Sequence, residues 1–263
     1  SYHLHASDRN LPEGKQERGN PYMSDAEKQS RKAISDAKRI VIKVGTSTIT
    51  YDNGRMNLRN IDRLTRAISS LMNQGKEVIL VTSGAIGVGI GCLDLDIKPT
   101  LMRDKQAIAA VGQCELMNVY SRCFAEYSQI IGQILLTKDD LDDRVTRENI
   151  SNTFEALIDR KIIPVVNEND SVSTKEIFHN GTFGDNDTLS ALVSILVCAD
   201  LLVILSDIDG LYDCNPRENE CAKRISYVRA IDQNMLDCAG GAGSKLGTGG
   251  MQTKITAMAL ATA

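Results

Sequence analysis

Two lysines stand where the chain could grip phosphate. Lys43 lies inside the apolar run Ile40-Val41-Ile42-Lys43-Val44 and is followed at once by Gly45-Thr46-Ser47, while Lys254 closes the run Gly247-Thr248-Gly249-Gly250-Met251-Gln252-Thr253. Glycine lets backbone N–H groups converge on an anion, through positive φ or close approach, and a helix starting after such a loop adds the positive end of its dipole. A lysine in an apolar strand needs a counter-charge once desolvated, and a bound phosphate would be one. Lys254, one helical turn past the glycines, would hold its ammonium over the same group. Two lysines, each tied to a glycine loop, describe a clamp on a transferring phosphoryl group, where charge neutralisation and positioning carry most of the catalysis. Taken alone, either glycine run could be a plain turn, and Lys254 a solvated surface residue.

Acidic and amide side chains supply a second half. In Asn167-Glu168-Asn169-Asp170 and Gly184-Asp185-Asn186-Asp187, the residues Asp170, Asp185 and Asp187 with Asn167, Asn169 and Asn186 can receive an ammonium, aim amide donors at carboxylates, or hold Mg²⁺ through water. Asp185 or Asp187 could equally cap a helix starting at Thr188. Histidine takes no part: His3 and His5 fall in a polar leader and His179 in a polar loop, which leaves no triad and no zinc site. The sequence has no GxxxxGK[ST] loop, no GxGxxG fingerprint, and no HRD or DFG set. A phosphate site without those motifs belongs to some other kinase fold.

These loops have to be positioned by a sheet. Arg39–Val44, Glu77–Thr82, Ile131–Leu136, Ile162–Val166 and Leu201–Ser206 are almost continuously Val, Ile and Leu, the pattern of parallel strands buried on both faces. Amphipathic stretches near Leu58–Asn73, Asp104–Tyr127, Leu141–Arg160 and Asp187–Cys198 are long enough to be crossover helices. The expected fold class is α/β, a three-layer α/β/α sandwich with a mainly parallel central sheet. Ligands then bind outside the carboxyl ends of the strands, where the glycines, hydroxyls, amides and carboxylates collect. Residues 1–38 form a polar leader, expected to be disordered or in part appended, since Met23-Ser24-Asp25 reads as a start; a short polar helix is expected at Ala26–Ala37.

Composition narrows the partners. Hydrophobic residues at 42% and charged residues at 24%, with a net charge of -4 and both signs interspersed, offer nucleic acid no basic footprint. No apolar run approaches the eighteen or so residues of a membrane helix, so no membrane is expected. Seven cysteines, odd in number and never spaced as CxxC, are expected to be reduced thiols packed as small hydrophobes in a cytoplasmic protein.

Taken in order, seven segments resemble the glutamate 5-kinase family of the amino-acid-kinase fold. They are Ile42-Lys43-Val44-Gly45-Thr46-Ser47, Val81-Thr82-Ser83-Gly84-Ala85-Ile86, Ala109-Ala110-Val111-Gly112-Gln113, Asn167-Glu168-Asn169-Asp170, Gly184-Asp185-Asn186-Asp187, Ser206-Asp207-Ile208-Asp209-Gly210-Leu211-Tyr212 and Gly247-Thr248-Gly249-Gly250-Met251-Gln252-Thr253-Lys254. The resemblance runs from about residue 39 to the end. It implies ATP-dependent phosphorylation of the γ-carboxylate of L-glutamate, the first step of proline biosynthesis, with Mg²⁺, with proline as feedback inhibitor, and with assembly as a homodimer or tetramer. Carried over by position, Lys43 contacts the ATP phosphates and Lys254 stabilises the transferred phosphoryl. Ser83, Asp170 and Asn186 hold glutamate. Gly45, Ser206 and Asp207 line the nucleotide site with Thr248, Gly249, Gly250, Met251, Gln252, Thr253 and Lys254; serine stands at 206 where the family often has threonine, which keeps the hydroxyl. Asp185 and Asp187 would orient substrate or link to a metal. The resemblance also implies a kinase domain over residues 39–263 that stops short of its usual end at Ala263, with no PUA domain in this chain. An N-acetylglutamate, carbamate or uridylate kinase would share the lysines and glycines but not both acidic motifs, and a non-catalytic amino-acid-sensing module would lack Lys43 or Lys254.

Overall fold

The computed structural model describes residues 24–173, 186–213, 219, 221–231 and 251–262, and the chain divides into two compact units, residues 1–36 and 37–263. In the first unit Asp25–Asp36 forms helix α1, and the hydroxyl of Ser24 accepts the Glu27 N–H at 3.2 Å. The short polar helix expected at Ala26–Ala37 is present, shifted by one residue: a hydroxyl ahead of the acidic first-turn residues Asp25 and Glu27 satisfies and complements the helix start.

The second unit is built on a sheet. Among its described residues β1 (Arg39–Val44), β2 (Glu77–Val81), β3 (Ile131–Leu136), β4 (Ile163–Glu168) and β5 (Leu201–Leu205) form one parallel sheet in the order β3-β4-β2-β1-β5. Side chains alternate across each strand, so each apolar run feeds two cores. Ile40, Ile42, Val44, Val78, Leu80, Ile163 and Val165 pack on one face beneath α3 (Leu58–Asn73) and α5 (Met102–Ala125), which contribute Ile61, Ile68, Leu116, Tyr120 and Phe124. Val41, Ile79, Val81, Ile134, Leu136 and Val166 pack on the other against Phe154, Ile158, Val193 and Val197 of α7 (Arg144–Asp159), α8 (Asn186–Leu196) and the turn after it. This is the three-layer sandwich expected. Lys43 shares the parity of Val41 and therefore points to the α8 side. A helix α9 (Met251–Thr262) and a short antiparallel pair, β6 (Leu211–Tyr212) with β7 (Arg224–Ile225), complete the described elements.

The amino edge of the sheet is held by charge. The Asp200 carboxylate accepts the N–H groups of Lys38 and Arg39, each at 2.8 Å, and the Arg39 guanidinium pairs with Glu77 at 2.8 Å and Glu155 at 2.6 Å.

One helical expectation changes. The stretch read as one helix from Leu141 to Arg160 is two, α6 (Lys138–Asp142) and α7: Asp143 adopts an extended backbone and accepts the Thr146 N–H at 2.8 Å, so it caps a new helix instead of continuing the old one. Ala85-Ile86-Gly87-Val88-Gly89-Ile90-Gly91-Cys92, despite its three glycines, is helix α4. It forms because α5 lies directly against it. A Cβ on Gly112 would come within 1.7 Å of the Ala85 carbonyl oxygen, and one on Gly89 within 2.1 Å of that of Ile108. Glycine here provides closeness of two helices, which outweighs its poor helix propensity.

The cysteine expectation also changes. Cys92, Cys114, Cys198 and Cys221 are exposed and Cys123 is half-buried; all five are free thiols. Cys92 ends α4, and Cys198 follows α8 with φ 50°, positions where the chain turns outward instead of into a core. No helix of the described residues is long and apolar enough to cross a membrane.

Gly112→Ala should destabilise the fold by roughly 2–3 kcal/mol, because the obstruction is backbone and cannot rotate away. Urea unfolding followed by circular dichroism measures this; a loss under roughly 0.5 kcal/mol, the range of neutral surface changes, would show that the α4–α5 approach is not tight.

Candidate active site

Strand β1 delivers Lys43 to the carboxyl edge of the sheet with only 3% of its surface exposed. Its ammonium lies 2.6 Å from Oδ1 of Asp187, in the first turn of α8, and that carboxylate has no exposed surface. The second oxygen of Asp187 is 3.2 Å from the ammonium of Lys254 on α9 and accepts the Thr253 hydroxyl at 3.2 Å. The counter-charge demanded by a lysine in an apolar strand is thus a carboxylate of this chain, where sequence reasoning offered a phosphate. Asp187 does not cap a helix at Thr188 either, since α8 already begins at Asn186.

Helix α8 can approach Lys43 because the face that carries Asp187 is otherwise small. Ser190, Ala191 and Ser194 are all buried, and the two hydroxyls bond back to carbonyls of their own helix, Ser190 to Asp187 at 2.6 Å and Ser194 to Ser190 at 2.7 Å.

Of the two ways glycine could serve an anion, positive φ or close approach, Gly45 does not use the first: its φ is -86° and ψ 162°, ordinary extended backbone, and a Cβ there would sit 3.8 Å from the Lys43 ammonium. Positive φ falls instead on Gly84, at 94°, where the chain leaves β2 and turns into α4 with a Cβ position 3.1 Å from the Thr46 methyl. The Ser83 hydroxyl just before it donates to the Val44 carbonyl at 3.2 Å and lies 3.2 Å from the Thr46 hydroxyl, which joins the first and second loops.

A chain of amides lies beside the lysines. The buried Asn186 carboxamide donates to the Thr82 carbonyl and, at 2.7 Å, to Oδ1 of Asn167. Asn167 Oδ1 also accepts the Glu168 N–H at 2.9 Å, and Asn167 Nδ2 donates to Gln113 Oε1 at 2.8 Å. Thr82 is itself fixed by a 3.0 Å hydrogen bond between its hydroxyl and the fully buried Tyr120 phenol, whose pKa burial raises. Sequence reasoning missed Gln113 and Tyr120 as site-supporting residues; both are polar positions within the α5 pattern, and that was the available signal.

Asp170 follows β4 in a turn anchored by the Asn169 N–H donating to the Leu136 carbonyl at 2.9 Å. It is half-buried, and burial first, then the neighbouring Glu168 charge, pushes its carboxyl up from 3.8 to about 7. Glu168 is itself engaged, accepting the Ser173 hydroxyl at 2.6 Å.

On the other side of β1, Val44 pairs with Leu205, so the loops beginning at Gly45 and Ser206 leave the sheet side by side. The Ser206 hydroxyl donates to Asp207 at 3.2 Å. Met251 and Thr253 lie on the first turn of α9, as does the backbone of Gln252; Asp185, Thr248, Gly249 and Gly250 lie outside the described residues. Among the described residues no group of three or more His, Cys, Asp or Glu side chains gathers as a metal site. The donors present fit Mg²⁺ that arrives on a nucleotide, since that ion commonly keeps its waters and phosphate oxygens and takes only one or two carboxylates.

A parallel sheet with two lysines on one buried carboxylate at its carboxyl edge, hydroxyl and amide donors beside them, and no histidine among the described residues, is the apparatus of a small-molecule phosphotransferase. The chain belongs to the amino acid kinase family, whose sequence pattern matches residues 38–263. Within that family it falls among the glutamate 5-kinases. It is 56% identical over 232 residues to the glutamate 5-kinase of Clostridium perfringens (strain 13 / Type A), covering 88% of this chain and 86% of the relative. The corresponding enzyme of Clostridium tetani (strain Massachusetts / E88) is 55% identical over 229 residues, covering 87% and 84%. That of Listeria innocua serovar 6a is 53% identical over 227 residues, covering 86% and 82%. Among solved structures, UMP kinase from Ureaplasma parvum aligns with a TM-score of 0.53 at 16% identity, covering 86% of this chain and 85% of that one, a likeness of fold.

The coupling of the lysines through Asp187 can be measured by a double-mutant cycle. Asp187→Asn should cost about 3–5 kcal/mol of stability, since it removes the carboxylate facing a buried ammonium. Lys43→Met should cost less, because Asp187 keeps Lys254, and in the double variant the two losses should not add. Additivity within roughly 0.5 kcal/mol would show that the 2.6 Å pair carries no coupling.

Proposed function

We propose that this chain transfers the γ-phosphoryl group of ATP to the side-chain carboxylate of L-glutamate, giving L-glutamyl 5-phosphate and ADP, the first step of proline biosynthesis. The observation that carries this reading is the Lys43–Asp187–Lys254 triad, joined through the adjacent Asn186 to the amide chain at the end of β4.

The acceptor explains why the chemistry needs no histidine. A glutamate side chain ionises with a pKa near 4.3, so at neutral pH the nucleophile already carries its charge and needs no general base. What the protein must supply is alignment and relief of repulsion between an anionic acceptor and a polyanionic donor. In this reading the acceptor oxygen attacks the γ-phosphorus as its bond to the β,γ-bridging oxygen breaks, and ADP leaves. Lys43 holds the phosphates on the sheet side. Lys254 follows the charge as the phosphoryl group moves. Asp187 keeps both ammonium groups aimed at that region. Gly45, Ser206 and Asp207, with the segment from Thr248 to Lys254, form the nucleotide site, and Mg²⁺ enters as MgATP. Ser83 and Asn186 hold the acceptor, Asp170 receives its ammonium, and Asp185 orients substrate or the metal. Family kinship supports three further assignments: proline as feedback inhibitor, a homodimer or tetramer as the working form, and the cytoplasm as its location.

The test is hydroxamate formation with MgATP and a panel of acids, in which L-glutamate should be used and N-acetyl-L-glutamate refused. An acetylated substrate would set a neutral amide against Asp170 and leave that carboxylate partly desolvated and unpaired. Preference for the acetylated acid would sink the assignment.

Lys254→Ala should lower kcat and kcat/KM together by about 10²- to 10³-fold with little change in either KM, the mark of an interaction made mainly in the transition state. Steady-state kinetics decide it; near-parental turnover would reduce Lys254 to a structural partner of Asp187.

Asp170 gives the reaction a pH signature. Below its pKa of about 7 the side chain is neutral and cannot balance the substrate ammonium, so kcat/KM for glutamate should fall as pH drops through 7 while KM for ATP stays level. Asp170→Asn should abolish that inflection and raise the glutamate KM about 10- to 100-fold at pH 8. An inflection that survives in the variant would assign it to another group.

A further inference from the structure

The segment Ala109-Ala110-Val111-Gly112-Gln113 has so far been used only for the close packing at Gly112. Its last residue is 9% exposed, and among the described residues the buried Gln113 amide nitrogen has no hydrogen-bond partner. A buried orphan donor asks for a reason.

The reason lies in a fixed order of donors and acceptors. Two backbone groups set the ends of the relay: the Glu168 N–H can only donate, and the Thr82 carbonyl can only accept. Because Asn167 takes the Glu168 N–H on Oδ1, it must present Nδ2 to Gln113, and Gln113 must answer with Oε1, which turns its own nitrogen away. Because Asn167 Oδ1 and Thr82 O are both acceptors, Asn186 must offer Nδ2 to both, and both of its amide hydrogens are then spent. The polar end of Asn186 that none of these bonds uses is its oxygen. Turning any one carboxamide over would oppose donor to donor or acceptor to acceptor at the next link.

We infer that Gln113 is a positioning residue for the acceptor substrate: through Asn167 it holds the Asn186 carboxamide with its oxygen available, so that Asn186 accepts a hydrogen bond from the substrate's ammonium instead of donating one to a carboxylate. This rests on the function proposed above and deepens it. Asn186 and Asp170 then act on the same group of the substrate, the amide oxygen as neutral acceptor and the carboxylate as counter-charge. Rejection of a substrate with no ammonium follows from both.

Gln113→Met tests this with little disturbance to the fold, because it removes one orphan donor at residue 113 and creates another at Asn167. It should raise KM for L-glutamate about tenfold, leave KM for ATP unchanged, and leave inhibition by glutarate, which lacks the ammonium, within about twofold of the parent. Gln113→Glu, which keeps an acceptor toward Asn167, should restore most of the lost glutamate affinity. Equal weakening of glutamate and glutarate would mean that Asn186 addresses a carboxylate, and it would overturn the inference. An unchanged glutamate KM in Gln113→Met, or a raised one in Gln113→Glu equal to that of Gln113→Met, would do the same. Turnover of glutamate by the unmodified protein reports on the proposed function separately; its absence would overturn both.

Discussion

A carboxylate with no exposed surface, bridging two lysines from different parts of the chain, is the constraint to which the surrounding structure conforms. Desolvating a carboxylate is costly unless opposite charge and hydrogen bonds replace water, and two ammonium groups would repel each other without an anion between them. Asp187 meets both requirements at once. The cost of meeting them appears in the sequence of α8, where the face toward Lys43 must be thin enough for the helix to reach the sheet. Ser190, Ala191 and Ser194 provide that, and their hydroxyls are satisfied within the helix. A larger residue on this face would move the carboxylate away from the strand lysine.

The neighbouring residue ties the other half of the site to the same turn. Successive residues of a helix project about 100° apart, so Asp187 reaches the lysines while Asn186 reaches Thr82 on the β2 side and Asn167 on β4. One peptide unit therefore separates the group that arranges the cations from the group that arranges the amides. Neither can shift without the other. On the proposed function this fixes the distance between phosphoryl donor and acceptor, because α8 is clamped at its start by an ion pair and by hydrogen bonds together.

The sheet was legible because burial on both faces leaves continuous Val, Ile and Leu runs; Arg39–Val44 and Ile131–Leu136 and the helix Leu58–Asn73 coincide with the observed elements. Legibility failed where tertiary contact overrules local preference. The glycines of α4 signal a turn to any propensity argument, and only the proximity of Gly112 on another helix makes them helical. Asp143 is a cap only because the chain bends there. In the site, the need of Lys43 for a counter-charge could be read from its apolar neighbours, but the identity of its partner could not, since nothing local pairs β1 with the first turn of α8. Gln113 was equally opaque: a glutamine among α5 residues shows its role only once Asn167 is brought within 2.8 Å.

Sheet order explains why the two halves of the site stay distinct yet meet. With strands arranged β3-β4-β2-β1-β5, Ser83, Asn167 and Asp170 leave the carboxyl ends of β2 and β4, whereas Lys43, Gly45, Ser206 and Asp207 leave those of β1 and β5. The residues proposed for the acceptor and those proposed for the nucleotide thus occupy neighbouring halves of one edge. The connection from β4 to β5 passes β2 and β1, three strand spacings or about 14 Å, and α8 is the helix that makes it, touching all four strands on the way. Its first turn starts where the proposed acceptor half meets the proposed nucleotide half. The amide and the carboxylate placed there, Asn186 and Asp187, contact Thr82 and Asn167 on one side and Lys43 and Lys254 on the other. Changing the acceptor while keeping the nucleotide would then require changes in the loops after β2 and β4 and in the relay behind them, with Asp187 and its lysines left in place.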